Sequence, residues 1–189
     1  PKIPAGPGAL RGPLLPRALP WLFVALAVMW FGGFALTPDL FFIVGVNHLG
    51  VWFLDTFALL ASNDALSRGL DPYVPNTLDY LNRPHVYSHW WLHLRDFGLT
   101  RAHTPWVGLT LVFAFLAAAL AHLRPRAPGE LLWYVVVLFS SPVVLALDRA
   151  NNDLVVFLLL AVVVPALLSR QRAVRFLAVV PIAIAAGLK

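Results

Sequence analysis

Residues 140–164 read "SSPVVLALDRANNDLVVFLLLAVVV". Two apolar runs flank "DRANND" at 148–153, where five of six residues are charged or amides. No glycine or proline marks that knot as an ordinary turn. So many polar groups cannot be satisfied while facing lipid. The knot therefore divides one apolar block into two candidate spans, residues 131–147 and 154–168.

Three further apolar runs lie outward of these. The first is residues 19–36, which continues through "LFFIVGV". The second is residues 105–123, and a fifth, 176–187, closes the sequence. A membrane span takes about 20 residues, so the third and fourth runs are expected to reach into their polar flanks. The composition agrees: 60% of the 189 residues are hydrophobic and 12% charged, where a soluble domain has roughly 45–50% and about 25%. The expected fold class is an all-α integral membrane protein, a multi-span helical bundle. Its expected organisation is a cytoplasmic leader at 1–18, the first span and its extension at 19–46, an external loop at 47–104, and spans two to five at 105–189. The absence of Met at the start and the apolar run at the end lead us to expect the N-terminal fragment of a longer chain.

The basic residues orient the spans. Lys2, Arg11 and Arg17 precede the first, Arg124 and Arg126 separate the second and third, and Arg170, Arg172 and Arg175 separate the fourth and fifth. If the segments alternate, all three clusters fall on one side, which the positive-inside rule makes cytoplasmic. The loop 47–104 and "DRANND" then share the outer side. The basic residues sit in short loops, so the net charge of +5 does not imply nucleic acid. Without cysteine there is neither a disulfide framework nor a thiolate metal site. A signal peptide over residues 1–37 is the rival reading, but no small-x-small cleavage site follows its apolar core.

The long loop opens with "DTFALLASNDALSRG" (55–69), a helical pattern stopped by Gly69. At 100° per residue, Phe57, Ala58, Leu59, Ala61, Ala65 and Leu66 form one apolar arc. Thr56, Asn63, Asp64 and Ser67, joined there by Leu60, form the opposite, wet face, as for a helix lying on a membrane surface. Asp55 falls within the apolar arc, either as an N-cap or as a placed functional group. Then follows "LDPYVPNTLDYLNRPHVYSHWWLHLRDFG" (70–98), made irregular by Pro72, Pro75 and Pro84. Tyr73, Tyr80, Tyr87, Trp90 and Trp91 are either interface-belt aromatics or a platform for a sugar ring. His85, His89 and His93 are spaced for one helical face, but no zincin-like Glu accompanies them, and we expect no metal. In "DRANND", Asp153 is expected to cap the fourth span. Arg149 suits bidentate binding of a phosphate, with Asn151 and Asn152 ordering it or a sugar hydroxyl. Lys189 returns to the same side as a second cation.

Three stretches carry a resemblance to a family. "DTFALLASNDALSRGLDPY" resembles the first-loop pattern of polyprenol-phosphate-dependent glycosyltransferases of the GT-C fold, with glycosyltransferase family 87, the mannosyltransferase-like group, the most similar. The matching residues are Asp55, Ala58, Ala61, Ala65, Gly69, Pro72 and Tyr73. "LDRANNDLVVFLLL" is similar to that family's acidic-Arg-x-Asn-x-Asp junction, and "AAGLK" to the start of its Lys-containing segment. The loop departs from the family's Tyr-Pro-Pro run, reading "VYSHWW" instead. The resemblance implies a GT-C bundle in the cytoplasmic membrane with its active-site loop on the extracytoplasmic side. It implies inverting transfer of a mannose-like hexose from a polyprenyl-phosphate donor to a glycolipid or glycan acceptor of the cell envelope, without a cofactor, the fragment alone being inactive. Asp55 would be the catalytic base, and Arg149 and Lys189 would bind the donor phosphate. Tyr73, His89, Trp90, Asn151, Asn152 and Asp153 would contact sugar or acceptor. A transporter or flippase for a lipid-linked or polar substrate, or a subunit without chemistry, are the alternatives from other classes.

Overall fold

The structure, a computed structural model, describes residues 14–189; Lys2 and Arg11 of the leader lie outside them. The described residues are helical, with no strand among them. In chain order the α-helices are α1 (Leu14–Leu36), α2 (Leu40–Ile43), α3 (Leu54–Ser67), α4 (Thr104–His122), α5 (Pro128–Leu138), α6 (Ser141–Arg149), α7 (Asn152–Leu167), α8 (Arg172–Leu177) and α9 (Val179–Leu188). Two 3-10 segments, His89–Phe97 and Arg101–His103, lie in the long loop.

Among the described residues, two helices are long and apolar enough to cross a membrane: the one ending at Leu36, and the one ending at His122. The first begins at Leu14, inside the expected leader. The expected third span is not one helix. It breaks between α5 and α6 with a bend of 49°. The cause is legible in "FSSP": Pro142 sits in the first turn of α6, where it cannot donate to the preceding turn and disfavours a helical residue before it. Trp30 stacks on Phe139 at that break, ring centroids 5.1 Å apart and planes 5° apart. The fourth run is the 16-residue α7, about 24 Å long at the α-helical rise. The fifth is also divided, at Ala178 between α8 and α9. There Pro181 has no N–H to give to the carbonyl of Leu177.

The apolar core joins α1, α4, α5, α6 and α7 through Phe23, Ala27, Phe115, Ala119, Leu138, Leu147 and Leu154. Ala27 and Ala119 are both 2% exposed; such small side chains let helix backbones approach closely. Outside this core lie exposed Trp21, Met29, Trp106 and Trp133, a distribution suited to contact with lipid.

The helix α3 departs from the surface-lying helix expected of it. Half of its supposed wet face is interior: Thr56 and Asn63 are buried, with Leu60 beside them, while Asp64 is partly buried and Ser67 exposed. The segment 89–103 wraps that face and supplies partners for its polar groups. Asn63 donates to the carbonyls of Leu59 (2.8 Å) and Trp91 (3.0 Å) and accepts from the Arg95 amide (2.8 Å). Asp64 is not a freely solvated carboxylate; Arg101 donates to it from Nε at 2.9 Å. The helix ends as expected. Gly69 is left-handed (φ 73°), and the amides of Gly69 and Leu70 return to the carbonyls of Leu66 and Ala65, the Schellman arrangement.

Candidate functional site

The loop after α1 and the "DRANND" junction meet at the start of α3. Phe53 precedes α3 with a left-handed backbone (φ 61°). Its ring lies against Gly108 of α4, where any β-carbon would come within 2.2 Å of it. The Phe53 amide donates to the carbonyl of Asp148 at 2.8 Å. Two residues on, the Asp55 carboxylate lies in the first turn of α3, the positive end of the helix dipole. Asp55 is not an N-cap. Its Oδ1 accepts from Arg83 Nη1 at 3.1 Å, and the side chain is buried.

Arg83 organises this end of the loop. Its guanidinium also donates from Nε to Asp79 Oδ2 (3.0 Å), and from Nη2 to Asp79 Oδ1 (3.1 Å) and to the Leu54 carbonyl (2.9 Å). The amides of Leu81 and Arg83 donate to the same Asp79 carboxylate. Burial acts to raise the pKa of Asp79, but the hydrogen bonds and charge of Arg83 outweigh it and hold the carboxyl below the usual range. Burial likewise opposes the charge on Arg83, and Asp79 followed by Asp55 reverses that, raising the guanidinium above its ordinary value. The fork geometry suits Arg and not Lys.

Tyr87 reports how the charges converge. Burial, and after it the charge of Asp55, raise its phenol; Arg83 opposes them, Asp153 adds to them and Arg149 opposes again. The Arg149 side chain is half-buried and makes no hydrogen bond or ion pair among the described residues. Its guanidinium is the uncommitted cation of the junction.

Several expected site residues are used otherwise. Asn151, not Asp153, caps α7, its side chain accepting from the Asp153 amide at 2.8 Å. An Asx-type bond needs the acceptor before the first helical turn, and Asp153 already lies in that turn. Asn152 is buried against a small cavity of about 20 Å³ lined also by Thr56, Leu59 and Trp91, so it faces the interior. Lys189 does return to the junction, but its Nζ pairs with the Asp153 carboxylate and is not a second uncommitted cation. Trp90 packs on Gly187 of α9, where a β-carbon would meet its ring, and Trp91 donates from its indole to the Leu188 carbonyl at 3.1 Å. Tyr73 is exposed, its ring 5.6 Å from that of His85. His89 is exposed and lies beside His93, ring centroids 6.5 Å apart. The expected alignment of His85, His89 and His93 is lost because His85 precedes the 3-10 segment, in irregular backbone. No group of three metal-ligating side chains occurs among the described residues. His85 is buried with its Nε2 donating to the Ser88 carbonyl at 3.2 Å, and burial holds its pKa below the ordinary value.

Sequence reading passed over Arg83, Asp79 and His48. His48 Nδ1 lies 2.7 Å from Asp148 Oδ1, and its ring stacks on Phe41, 4.8 Å between centroids. The i,i+4 spacing of Asp79 and Arg83 in "LDYLNR" was a visible signal. Nothing local could pair residues 48 and 148. An open groove of about 630 Å³ on another flank of α3 is lined by Asp64, Arg68 and Arg101 and does not include Asp55. No protein-family model, curated protein or solved structure matches the chain.

Proposed function

We propose that the chain is the base-and-phosphate-binding part of a membrane glycosyltransferase of GT-C type. It would move a mannose-like hexose from a polyprenyl-phosphate donor to an extracytoplasmic glycolipid or glycan, with inversion. The observation that carries the reading is the joining of the Asp55 end of α3 to the segment that bears Arg149, the Phe53 amide donating to the Asp148 carbonyl at 2.8 Å and the Thr56 hydroxyl to the Ala150 carbonyl at 2.7 Å. An acceptor hydroxyl needs a base in the transition state, and Asp55 has Oδ2 without a hydrogen bond while Arg83 fixes Oδ1. The departing lipid phosphate needs a preorganised cation, and Arg149 is uncommitted. A phosphate leaving group needs no general acid, so one carboxylate suffices, unlike the paired acids of glycoside hydrolysis. Lys189 would act on the donor only by exchanging Asp153 for the phosphate. The polar groups cluster at the ends of α6 and α7, whereas a transporter places its binding groups near the bilayer midplane.

Arg149→Lys tests the phosphate role. The retained point charge lacks the planar fork, so the donor KM should rise about tenfold or more, one lost charge-assisted hydrogen bond being worth roughly 1.5–3 kcal/mol. Unchanged donor KM and kcat would leave the junction a polar turn.

Sidedness is tested independently. In a cysteine-free background, Val74→Cys and Ala127→Cys, both at exposed positions, should label oppositely with an impermeant thiol reagent in intact cells. Only the first should react. Labelling of Ala127→Cys alone would put Asp55 on the cytoplasmic side.

A further inference from the structure

Three hydrogen bonds join α3 and the loop before it to the end of α6 and the turn after it. The Phe53 amide donates to the Asp148 carbonyl at 2.8 Å. The Thr56 hydroxyl donates to the Ala150 carbonyl at 2.7 Å. His48 and Asp148 pair at 2.7 Å, with Phe41 stacked on the imidazole. Both sides of this clasp carry a non-glycine residue in the left-handed region, Phe53 at φ 61° and Ala150 at φ 42°. Such backbones persist only where their surroundings over-determine them, and they collect at functional sites. Here the surroundings are identifiable. Phe53 is held by Gly108, and Ala150, 1% exposed, is the left-handed C-cap of α6, its amide and that of Asn151 returning to the carbonyls of Leu147 and Ala146 while its own carbonyl accepts from Thr56. The catalytic candidates sit immediately beside the strained residues: Asp55 two positions after Phe53, Arg149 one position before Ala150.

We infer that this clasp sets the distance between Asp55 and Arg149, with Thr56 and His48 as positioning residues for the transfer. The inference rests on the transferase reading for its kinetic consequence and on the geometry alone for its structural one. Neither Thr56 nor His48 need touch substrate. A carboxylate that takes the acceptor's proton as the new bond to the sugar C1 forms, and a guanidinium that holds the phosphate as the old C1–O bond breaks, must be held in register, and a misplacement of about 1 Å costs on the order of 10²-fold in rate. No other hydrogen bond links residues 48–67 to residues 141–153 among the described residues, and packing alone does not fix a position as directionally as a hydrogen bond.

Thr56→Val keeps the shape of the side chain and removes its donor. In the intact protein, spin labels at Ser67→Cys on α3 and Leu160→Cys on α7, in a cysteine-free background, should give a narrow distance distribution. Adding Thr56→Val should broaden it. In the unlabelled protein the same substitution should lower kcat about 10- to 100-fold with donor KM little changed. Thr56→Ser, which restores the hydroxyl, should return both quantities towards wild type. The inference is overturned if Thr56→Val leaves the distribution narrow, if it broadens it without loss of kcat, or if Thr56→Ser fails to restore either. Should the wild-type protein transfer no hexose, the transferase reading fails, and the width of the distribution decides the clasp by itself.

Discussion

Asp55→Asn should lower kcat by about 10²–10⁴-fold, the usual contribution of general-base assistance. The substitution is close to silent for the fold. An amide oxygen still accepts the hydrogen bond that Arg83 Nη1 gives to Oδ1, and no capping bond is lost because Asp55 caps nothing. What disappears is the basic oxygen. Donor binding should stay near wild type, since the donor phosphate is assigned to Arg149, so the loss should fall on kcat and not on KM. Asp64→Asn is the internal control. Asp64 belongs to the same helix but is paired with Arg101, and the amide keeps an acceptor for it; most activity should remain. Turnover by Asp55→Asn within a few-fold of wild type would make Asp55 a structural partner of Arg83 and place the base elsewhere.

Arg83→Met should destabilise the loop by about 3 kcal/mol, the lower end of the range for breaking a buried ion pair, because 29% of the Arg83 side chain remains exposed. The cost comes less from lost attraction than from what is left behind. Asp79, with 1% of its side chain exposed, and Asp55, with 9%, would both keep a charge without a counter-ion, and the Leu54 carbonyl would lose its donor. Arg83→Lys should recover only part of the loss, as one ammonium cannot reach both carboxylates and the carbonyl in the planar arrangement. Arg83→Met combined with Asp79→Asn should be more stable than Arg83→Met alone. Thermal unfolding in detergent, followed by tryptophan fluorescence, measures all three. A midpoint for Arg83→Met equal to wild type would show that water satisfies both carboxylates and that Arg83 organises nothing.

What could be read from sequence was what depends on local periodicity and punctuation. The apolar runs became α1, α4 and α7 within a few residues, and Gly69 ended α3 because only a left-handed residue makes that cap. The break at 139–140 was also written in the chain, as "FSSP", yet the hydropathy of the whole block outweighed one proline. The reading of α3 failed for another reason. A helical projection separates polar from apolar positions, but it does not know that Asn63 will find Trp91 and Arg95, or that Thr56 will find Ala150. Polar residues with dedicated partners bury as well as leucine does. The site divided along the same line. Asp55 stood out because it is charged on an otherwise apolar arc, and Arg149 because it is the one cation in a knot of carboxylates and amides. Lys189 pairs with Asp153, Trp90 packs on Gly187 and Asn152 turns inward, because proximity to a motif does not say which side of the backbone a side chain leaves from. His48 and Asp148, 100 residues apart, had no local signal at all.

The most direct measurement of the central claim is single-turnover transfer by the purified, reconstituted intact protein, supplied with a polyprenyl-phosphate hexose labelled in the sugar and a glycolipid acceptor. The account predicts that labelled hexose appears on the acceptor with the opposite anomeric configuration, that polyprenyl phosphate is released in equal amount, and that Asp55→Asn removes both products together. Retained configuration, transfer from a nucleotide sugar in place of the lipid-linked donor, or movement of the donor across the bilayer with its glycosidic bond intact would contradict it.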